Sequence, residues 1–200
     1  MHMVAPATLW TLEAVRALPD DGRRYELIDS LLHVNGVVVP NGYLAGLDPA
    51  MTPAPDARHQ RRTFNLARTL ADYVDRCHCG TVMLSPADLS LAAGQIVQPD
   101  IFVAPLVAGH PPEDWADVKS LLLAVEVLSP STARTDRVRK RLHYQRAGVP
   151  EYWIVDGDAR IIERWHRNDD RAELLADHIE WRPEGVGESL VIDLEKYFAT

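Results

Sequence analysis

The chain has 200 residues, of which 46% are hydrophobic and 25% are charged. This length suits one domain with one sizeable core, and the composition excludes a disordered chain, a collagen-like repeat and a disulfide-rich miniprotein. Its 21 basic and 29 acidic residues give a net charge of -8, which argues against a surface coated for nonspecific DNA binding. We therefore expect a single domain over residues 1–200.

The first half of the chain predicts a short helix, two strands, a loop and a long helix. Thr11 suits the N-cap of the first helix, and Pro19 ends it. Alternation in the first strand puts Tyr25 and Leu27 on one face and Glu26 on the other. The predicted ranges are a helix over 12–17, strands over 23–29 and 32–39, a Pro- and Gly-rich loop over 40–55 and an amphipathic helix over 56–77.

The second half of the chain predicts several short strands and one further long helix. Gly148 suits the residue just past the end of that helix, and residues 156–158 suit a hairpin turn. The predicted ranges are strands over 81–84, 88–91, 101–104, 121–127, 151–155, 161–166, near 174 and over 190–192, a helix from 130 or 131 to 147, and a last helix ending at 198. The chain is therefore expected to be a mixed α/β (α+β) domain, with a sheet flanked by helices.

Glu126 lies inside an otherwise apolar strand, where both faces are expected to be buried. An unpaired carboxylate there would cost at least ~3 kcal/mol, so Glu126 needs a cation, a proton or access to a cleft. A frayed strand end with an arginine partner is the alternative. Ser129 or Ser131, with Pro130, marks the start of the following helix, whose free N–H groups favour anions such as phosphate.

Asp100 is a second acid in a comparable position. It follows Pro99 and opens an apolar strand, 26 residues before Glu126, which is enough for a strand, a loop and the neighbouring strand. Adjacent strands would bring the two carboxylates together. Carboxylate oxygens that hold a metal ion close to a phosphate-binding helix start are what phosphodiester hydrolysis requires.

The helix after Glu126 is strongly basic. Asp136, Lys140 and Tyr144 are spaced by four residues and share a face, with His143 beside them. Between residues 133 and 149, six bases against one acid give a local charge of +5, which leaves -13 for the rest of the chain. The segment is either a solvated face with an Asp136–Lys140 pair worth only ~0.3 kcal/mol or a surface for DNA.

Cysteine usage and the lack of targeting signals favour a cytoplasmic protein. Cys77, His78 and Cys79 do not have zinc-site spacing, and the two cysteines are too close for a comfortable disulfide, which suggests a reducing compartment. The N-terminus has no secretory pattern, and no uncharged stretch approaches the ~18 residues of a membrane span.

Six ordered motifs then carry a family resemblance. They are residues 24–29 (RYELID), 51–55 (MTPAP) with His59 and Gln60, 98–100 (QPD), 125–132 (VEVLSPST), 136–137 with Lys140 and Tyr144, and 148–156 (GVPEYWIVD). This pattern resembles the bacterial Uma-two family of restriction-endonuclease-like proteins, in the PD-(D/E)XK nuclease superfamily. Ser30 stands where that family usually has glycine, and the loop before Met51 is longer than usual.

The resemblance implies a restriction-endonuclease-like central mixed β-sheet flanked by helices, and a site in which Asp100 and Glu126 bind Mg2+ or Mn2+. The superfamily's usual lysine is replaced by Leu128, and the resemblance points to Lys140 as the substitute, with Glu26 as a third acid. A homodimer is also implied. The residues expected to contact DNA are Arg134, Arg137, His59 and Tyr144.

The leading hypothesis is a Mg2+- or Mn2+-dependent endonuclease, a hydrolase that cuts DNA phosphodiester bonds. In this hypothesis Lys140 orients or deprotonates the attacking water, or neutralises the transition state. Two alternatives stay open. The fold could be a weakened or inactive nuclease that binds DNA or protein, or Glu126 and Lys140 could be a buried pair with a purely structural role.

Overall fold

The computed structural model describes residues 9–19, 21–39, 56–129 and 132–199. The predicted loop over 40–55, the motif over 51–55 and the helix-start residues Pro130 and Ser131 lie outside the described residues. No helix within the described ranges is long and apolar enough to cross a membrane.

The described elements confirm most of the predicted ones. The helical segments are α1 (Leu12–Arg16), α2 (Ala57–Cys77), a 3-10 turn (Trp115–Asp117), α3 (Ala133–Thr135), a π-helical segment (Asp136–Lys140), α4 (Arg141–Arg146) and α5 (Leu194–Phe198). The strands are β1 (Tyr25–Ile28), β2 (Leu31–Val34), β3 (Val37–Val38), β4 (Thr81–Leu84), β5 (Ile101–Ala104), β6 (Leu123–Val127), β7 (Glu151–Asp156), β8 (Ile161–His166), β9 (Glu173–Leu175), β10 (His178–Trp181) and β11 (Leu190–Asp193).

The central sheet has six strands in the order β4-β5-β6-β7-β8-β9. The β6–β7 pair is parallel and the other pairs are antiparallel, so the sheet is mixed, as predicted. A parallel pair needs a crossover connection, and α3, the π segment and α4 together supply it. Glu126 therefore lies near the carboxyl end of β6, with the crossover helix immediately following.

Two hydrophobic cores lie on opposite faces of this sheet. Leu123, Val125 and Val127 belong to the core that also contains Leu66 and other residues of α2. Ala124 belongs to the second core, with Tyr144 of α4, Tyr152 and Phe102. The alternation predicted for β6 is thus confirmed, and it puts Glu126 on the side of the crossover helix.

A smaller antiparallel sheet, β1-β2-β3, packs beside the central one, and a two-residue bridge between Leu27 and Ile96 joins it to the segment that leads into β5. Its core includes Leu27, Leu32 and Ile96. This sheet brings Glu26 towards the carboxyl end of β6. The β10–β11 pair forms a third sheet, which contributes to the α2 side of the core.

Several helix ends follow the predicted capping. The Thr11 side chain accepts from the Ala14 amide at 3.2 Å, and the Asp56 side chain accepts from the His59 amide at 2.7 Å. Gly148 has a φ of 80°, as expected for the residue after a helix C-cap.

Two predicted strands are corrected, and one strand is added to the predicted set. The strand predicted over 32–39 is two strands, because Asn35 and Gly36 adopt positive φ and turn the chain. The predicted strand over 88–91 is wrong, since only an isolated bridge between Leu89 and Val97 forms there. Strand β10 was not predicted, because its alternating buried and exposed residues span only four positions.

Cys77 and Cys79 also differ from expectation. The structure joins them in a disulfide at the end of α2. The expectation that they stay unpaired is therefore wrong. The left-handed conformation of the intervening His78 places the two Cα atoms 5.2 Å apart, within the usual range for a disulfide.

Candidate active site

Asp100 and Glu126 meet at one end of the β5–β6 pair. Ile101 pairs with Val125, so extending this antiparallel register by one residue places Asp100 opposite Glu126. The Val127 amide donates to Asp100 Oδ2 at 2.9 Å, which ties the two strand ends together. The side chains of Asp100 and Glu126 are buried.

Three groups hold the Asp100 carboxylate. Arg24 Nη1 donates to Oδ1 at 2.9 Å, and His59 Nε2 lies 3.2 Å from Oδ2, which also accepts from Val127. Arg24 comes from the segment just before β1, and His59 comes from the first turn of α2. Asp100 therefore joins the small sheet, the long helix and the central sheet.

Lys140 lies at the centre of the second half of the site. Its Nζ is 2.9 Å from Glu126 Oε1, 3.0 Å from Glu26 Oε1 and 3.7 Å from Asp136 Oδ1. The Tyr144 hydroxyl donates to Glu126 at 3.2 Å, and the Gln98 amide donates to Glu26 at 2.8 Å. Lys140 is 2% exposed, so its charge is balanced inside the protein and not by solvent.

The π-helical segment carries both Asp136 and Lys140. Both side chains are buried, while Val138 between them is exposed. A π-helical turn in an otherwise α-helical stretch is most often found at functional sites. Here it begins and ends on the two residues that face the carboxylates.

The electrostatics of the site divide its acids into two groups. Burial would raise the pKa of Asp100, but the His59 hydrogen bond and the Arg24 charge lower it well below its usual value. Burial likewise opposes ionisation of Glu26, and Lys140 and Arg24 lower the pKa of Glu26 in spite of it.

Glu126 and Asp136 behave in the opposite way. Burial, against the pull of Lys140, raises the pKa of Glu126 well above its usual value and that of Asp136 to about 6. Burial also opposes the charge of Lys140, but Glu126 and Glu26 raise the pKa of Lys140, which keeps its proton. The His59 pKa is raised by its bond to Asp100, although burial lowers it.

The donor set fits a hard divalent cation. Four carboxylates (Glu26, Asp100, Glu126, Asp136) face two permanently charged bases, Arg24 and Lys140, which leaves an excess of two negative charges when all are ionised. Among the described residues no group of three or more His, Cys, Asp or Glu side chains is placed so that it could hold a metal ion. Mg2+ does not require one, since it usually takes one or two carboxylates and completes its shell with water and phosphate.

The four residues predicted to contact DNA differ in their exposure and in the side chains that they already contact. Arg134 is exposed. Arg137 donates to Glu163 at 2.6 Å and to Asp156 at 2.8 Å, so its charge is already compensated. Tyr144 is fully buried against Glu126, and His59 is turned towards Asp100. Tyr144 and His59 therefore shape the interior of the site, away from a DNA-facing surface.

Two residues of the site were not selected from the sequence. Arg24 lies just before β1 and two positions before Glu26, and this spacing of two, which puts residues of an extended chain on one face, was the available signal. The four-residue spacing of Asp136 and Lys140 is equally typical of a solvated ion pair, because spacing along a helix does not show which face is buried.

The chain shares its fold with a solved structure and its sequence pattern with a protein family. A crystal structure of a putative nuclease belonging to DUF820 from Anabaena variabilis ATCC 29413 is similar, with a TM-score of 0.70 at 16% identity, over 94% of this chain and 97% of that chain. At this identity the likeness shows a shared fold. No curated protein sequence matches the chain significantly. The family model of Uma2 (Uma-two), described as "Putative restriction endonuclease", matches residues 44–195, more than half of the chain, which therefore belongs to this family.

Proposed function

We propose that this protein is a Mg2+- or Mn2+-dependent endonuclease that hydrolyses phosphodiester bonds in DNA. One observation carries the proposal: Asp100, Glu126 and Lys140, which are far apart in sequence and come from a strand start, a neighbouring strand and a helix, converge in one buried cluster. Membership of a family described as putative restriction endonucleases supports it.

Each residue of the cluster has a defined task in this proposal. Asp100 and Glu126 would hold the cation through their oxygens, and the bound cation would supply positive charge to the phosphate and acidify water. Lys140 keeps its proton, so it acts as a fixed positive charge and hydrogen-bond donor, which stabilises the negative charge that develops in hydrolysis. Arg24 and His59 orient the Asp100 carboxylate.

A second candidate function has its own supporting observation. Both oxygens of Asp100 already contact protein donors, and the positive charge of Arg24 beside Oδ1 repels a cation, which would weaken this ligand. A site weakened in this way would leave a nuclease fold that binds DNA or protein without cutting.

DNA cleavage distinguishes the two functions. Purified protein is incubated with supercoiled plasmid, branched DNA and single-stranded DNA in Mg2+ or Mn2+, beside D100N, E126Q and the control R171Q. Arg171 is exposed just before β9, at the sheet edge opposite β4. We expect the wild type and R171Q to cut and the other two to be inactive. If the wild type cuts none of these DNAs better than D100N and E126Q, the endonuclease proposal is rejected.

We also propose that the protein is a homodimer, on the strength of the family resemblance. Size-exclusion chromatography with light scattering should give twice the chain mass of 22.4 kDa. A monomer at high concentration would contradict the proposal.

A further inference from the structure

A cleft of about 450 Å3 opens next to the carboxylate cluster. One wall comes from the end of α1 and the start of β1 and contains Arg16, Arg23 and Arg24. The other wall comes from the β4–β5 connection and the 3-10 turn, and includes Asp88 and Trp115. Arg24 also holds Asp100, so the cleft and the catalytic cluster share a side chain.

The charge of this cleft favours an anion. Its described lining residues include three arginines and one acid, Asp88. Asp88 already accepts a 2.6 Å hydrogen bond from Gln98. Arg23 contacts Asp21 at 3.3 Å, and its side chain remains about a quarter exposed. Arg24 is already held by Asp100 and by the Gln98 carbonyl, so the exposed Arg16 and the partly exposed Arg23 are the side chains that suit the oxygens of a phosphodiester.

The opposite wall offers an aromatic face. Trp115 is 41% exposed, which is unusual for so large an apolar side chain. The 3-10 turn that carries it is held by reciprocal bonds between Asp114 and Asp117, and its ring packs edge-on against Phe102. A fixed, exposed indole beside basic residues is the arrangement on which unpaired bases stack.

The burial of the carboxylates restricts which form of nucleic acid can reach them from the cleft. Asp100 is only 6% exposed and Glu126 only 2%. In a continuous duplex the bases are stacked and paired, which holds each nucleotide on the path of the helix, whereas an unpaired nucleotide can enter a pocket.

We propose that the cleft binds one unpaired nucleotide of a DNA strand, with its phosphate against Arg16 and Arg23 and its base stacked on Trp115. This inference rests on the proposed nuclease function and deepens it, because it makes single strands, flaps and frayed ends the preferred substrates. Continuous duplex would bind less well.

Binding without metal tests the cleft independently of catalysis. Fluorescence anisotropy would measure the affinity of the full chain for a labelled short oligothymidylate and for its duplex with oligoadenylate. We expect the single strand to bind more tightly, and W115A and R23Q to weaken it by about fivefold or more. W115F keeps an aromatic face and should restore binding, which separates loss of stacking from a folding defect.

Matched controls alter the same residue types outside the cleft. F64A removes an aromatic side chain that is 60% exposed on α2, and R171Q removes an exposed arginine at the opposite sheet edge. Both should bind as the wild type does. Thymidine monophosphate should displace the oligonucleotide, and inorganic phosphate at the same concentration should not, because the base contributes to binding.

The proposal is overturned if the duplex binds as tightly as the single strand, if W115A and R23Q bind like the controls, or if inorganic phosphate displaces the strand as well as the nucleotide does. The DNA-cleavage assay tests the proposed endonuclease function separately. Tight single-strand binding that depends on Trp115, with no cleavage by any form, would reject the endonuclease and retain the nucleotide cleft.

Discussion

Lys140 and Glu126 are the residues on which a catalytic and a structural role can be separated. Lys140 contacts two buried carboxylates at once, Glu26 and Glu126, whereas burial and the neighbouring carboxylates raise the pKa of Glu126 and so oppose its charge. Removal of the base and removal of the acid should therefore have unequal effects on stability, although both remove the same ion pair.

We expect K140M to lower the free energy of unfolding by about 3–5 kcal/mol, because it leaves buried carboxylates without a partner. E126Q should change it by less than about 1 kcal/mol, since the amide oxygen can still accept from Lys140 and Tyr144 and the variant has the neutral charge that burial favours at this position. Urea unfolding at neutral pH measures both. Equal, large losses in the two variants would instead favour the purely structural pair.

Two histidines in the same region predict the response of stability to acid. His33 lies in β2 opposite Glu26, and His143 lies in α4; burial lowers the pKa of each to about 4 from 6.5. Between these values the unfolded chain binds the proton and the folded chain does not, so stability falls as the pH falls through this window.

The loss at about pH 5 should be ~2 kcal/mol for each histidine. H33L should therefore show a smaller decrease in unfolding free energy between about pH 7 and about pH 5 than the wild type. H110Q, which alters an exposed histidine, serves as the control and should keep the full decrease. The same decrease in H33L as in the wild type would show that other groups cause it.

At the scale of elements, the turn between β2 and β3 supports the start of the crossover helix. Thr135 donates to the Gly36 carbonyl at 3.2 Å, and Gly36 has a φ of +81°. A Cβ at this position would lie 2.4 Å from the Thr132 methyl group. The small sheet and the helix that carries Lys140 thus meet at a residue that has no room for a side chain.

We expect G36A to cost ~1 kcal/mol for the left-handed backbone and a further ~1–3 kcal/mol for the collision with Thr132. G185A isolates the first contribution, because Gly185 has the same φ of +81° and open space around its Cα. Thermal unfolding of both variants gives the difference. Equal destabilisation would mean that Thr132 moves aside at no cost.

At the scale of the whole molecule, the net charge of -8 does not describe how charge is distributed around the site. The local +5 of residues 133–149 includes Lys140, which is buried among acids, and Arg137, which is paired with Asp156 and Glu163. The surface is therefore less basic there than its sequence indicates. The buried cluster is the opposite: its four carboxylates form an excess of two over its two bases, and a divalent cation would compensate the negative charge that their full ionisation creates.

This excess predicts that Mg2+ or Mn2+ stabilises the folded protein. At a hundred times the dissociation constant, linkage gives about 2.7 kcal/mol, seen as a rise in Tm. D100N should show a much smaller rise, because it removes a proposed ligand. The same rise in Tm in D100N and in the wild type would mean that the cation binds elsewhere. The measurement can be repeated with Ca2+, which also prefers oxygen ligands.

The sequence by itself determined the class of fold and most element ranges, and it indicated Asp100 and Glu126 as candidate site residues, while the family resemblance pointed to Lys140. The apolar run around Glu126, the Pro99–Asp100 strand start and the four-residue spacing of Asp136, Lys140 and Tyr144 are local patterns, and local patterns are what a sequence displays.

Only the tertiary structure decided which of these residues meet. It turned Lys140 inward to Glu26 and Glu126, attached Arg24 and His59 to Asp100, buried Tyr144 and compensated Arg137. It also placed the cleft beside them. These contacts join residues up to 114 positions apart, as Glu26 and Lys140 are, and such pairings depend on strand order and helix orientation, which no local periodicity encodes.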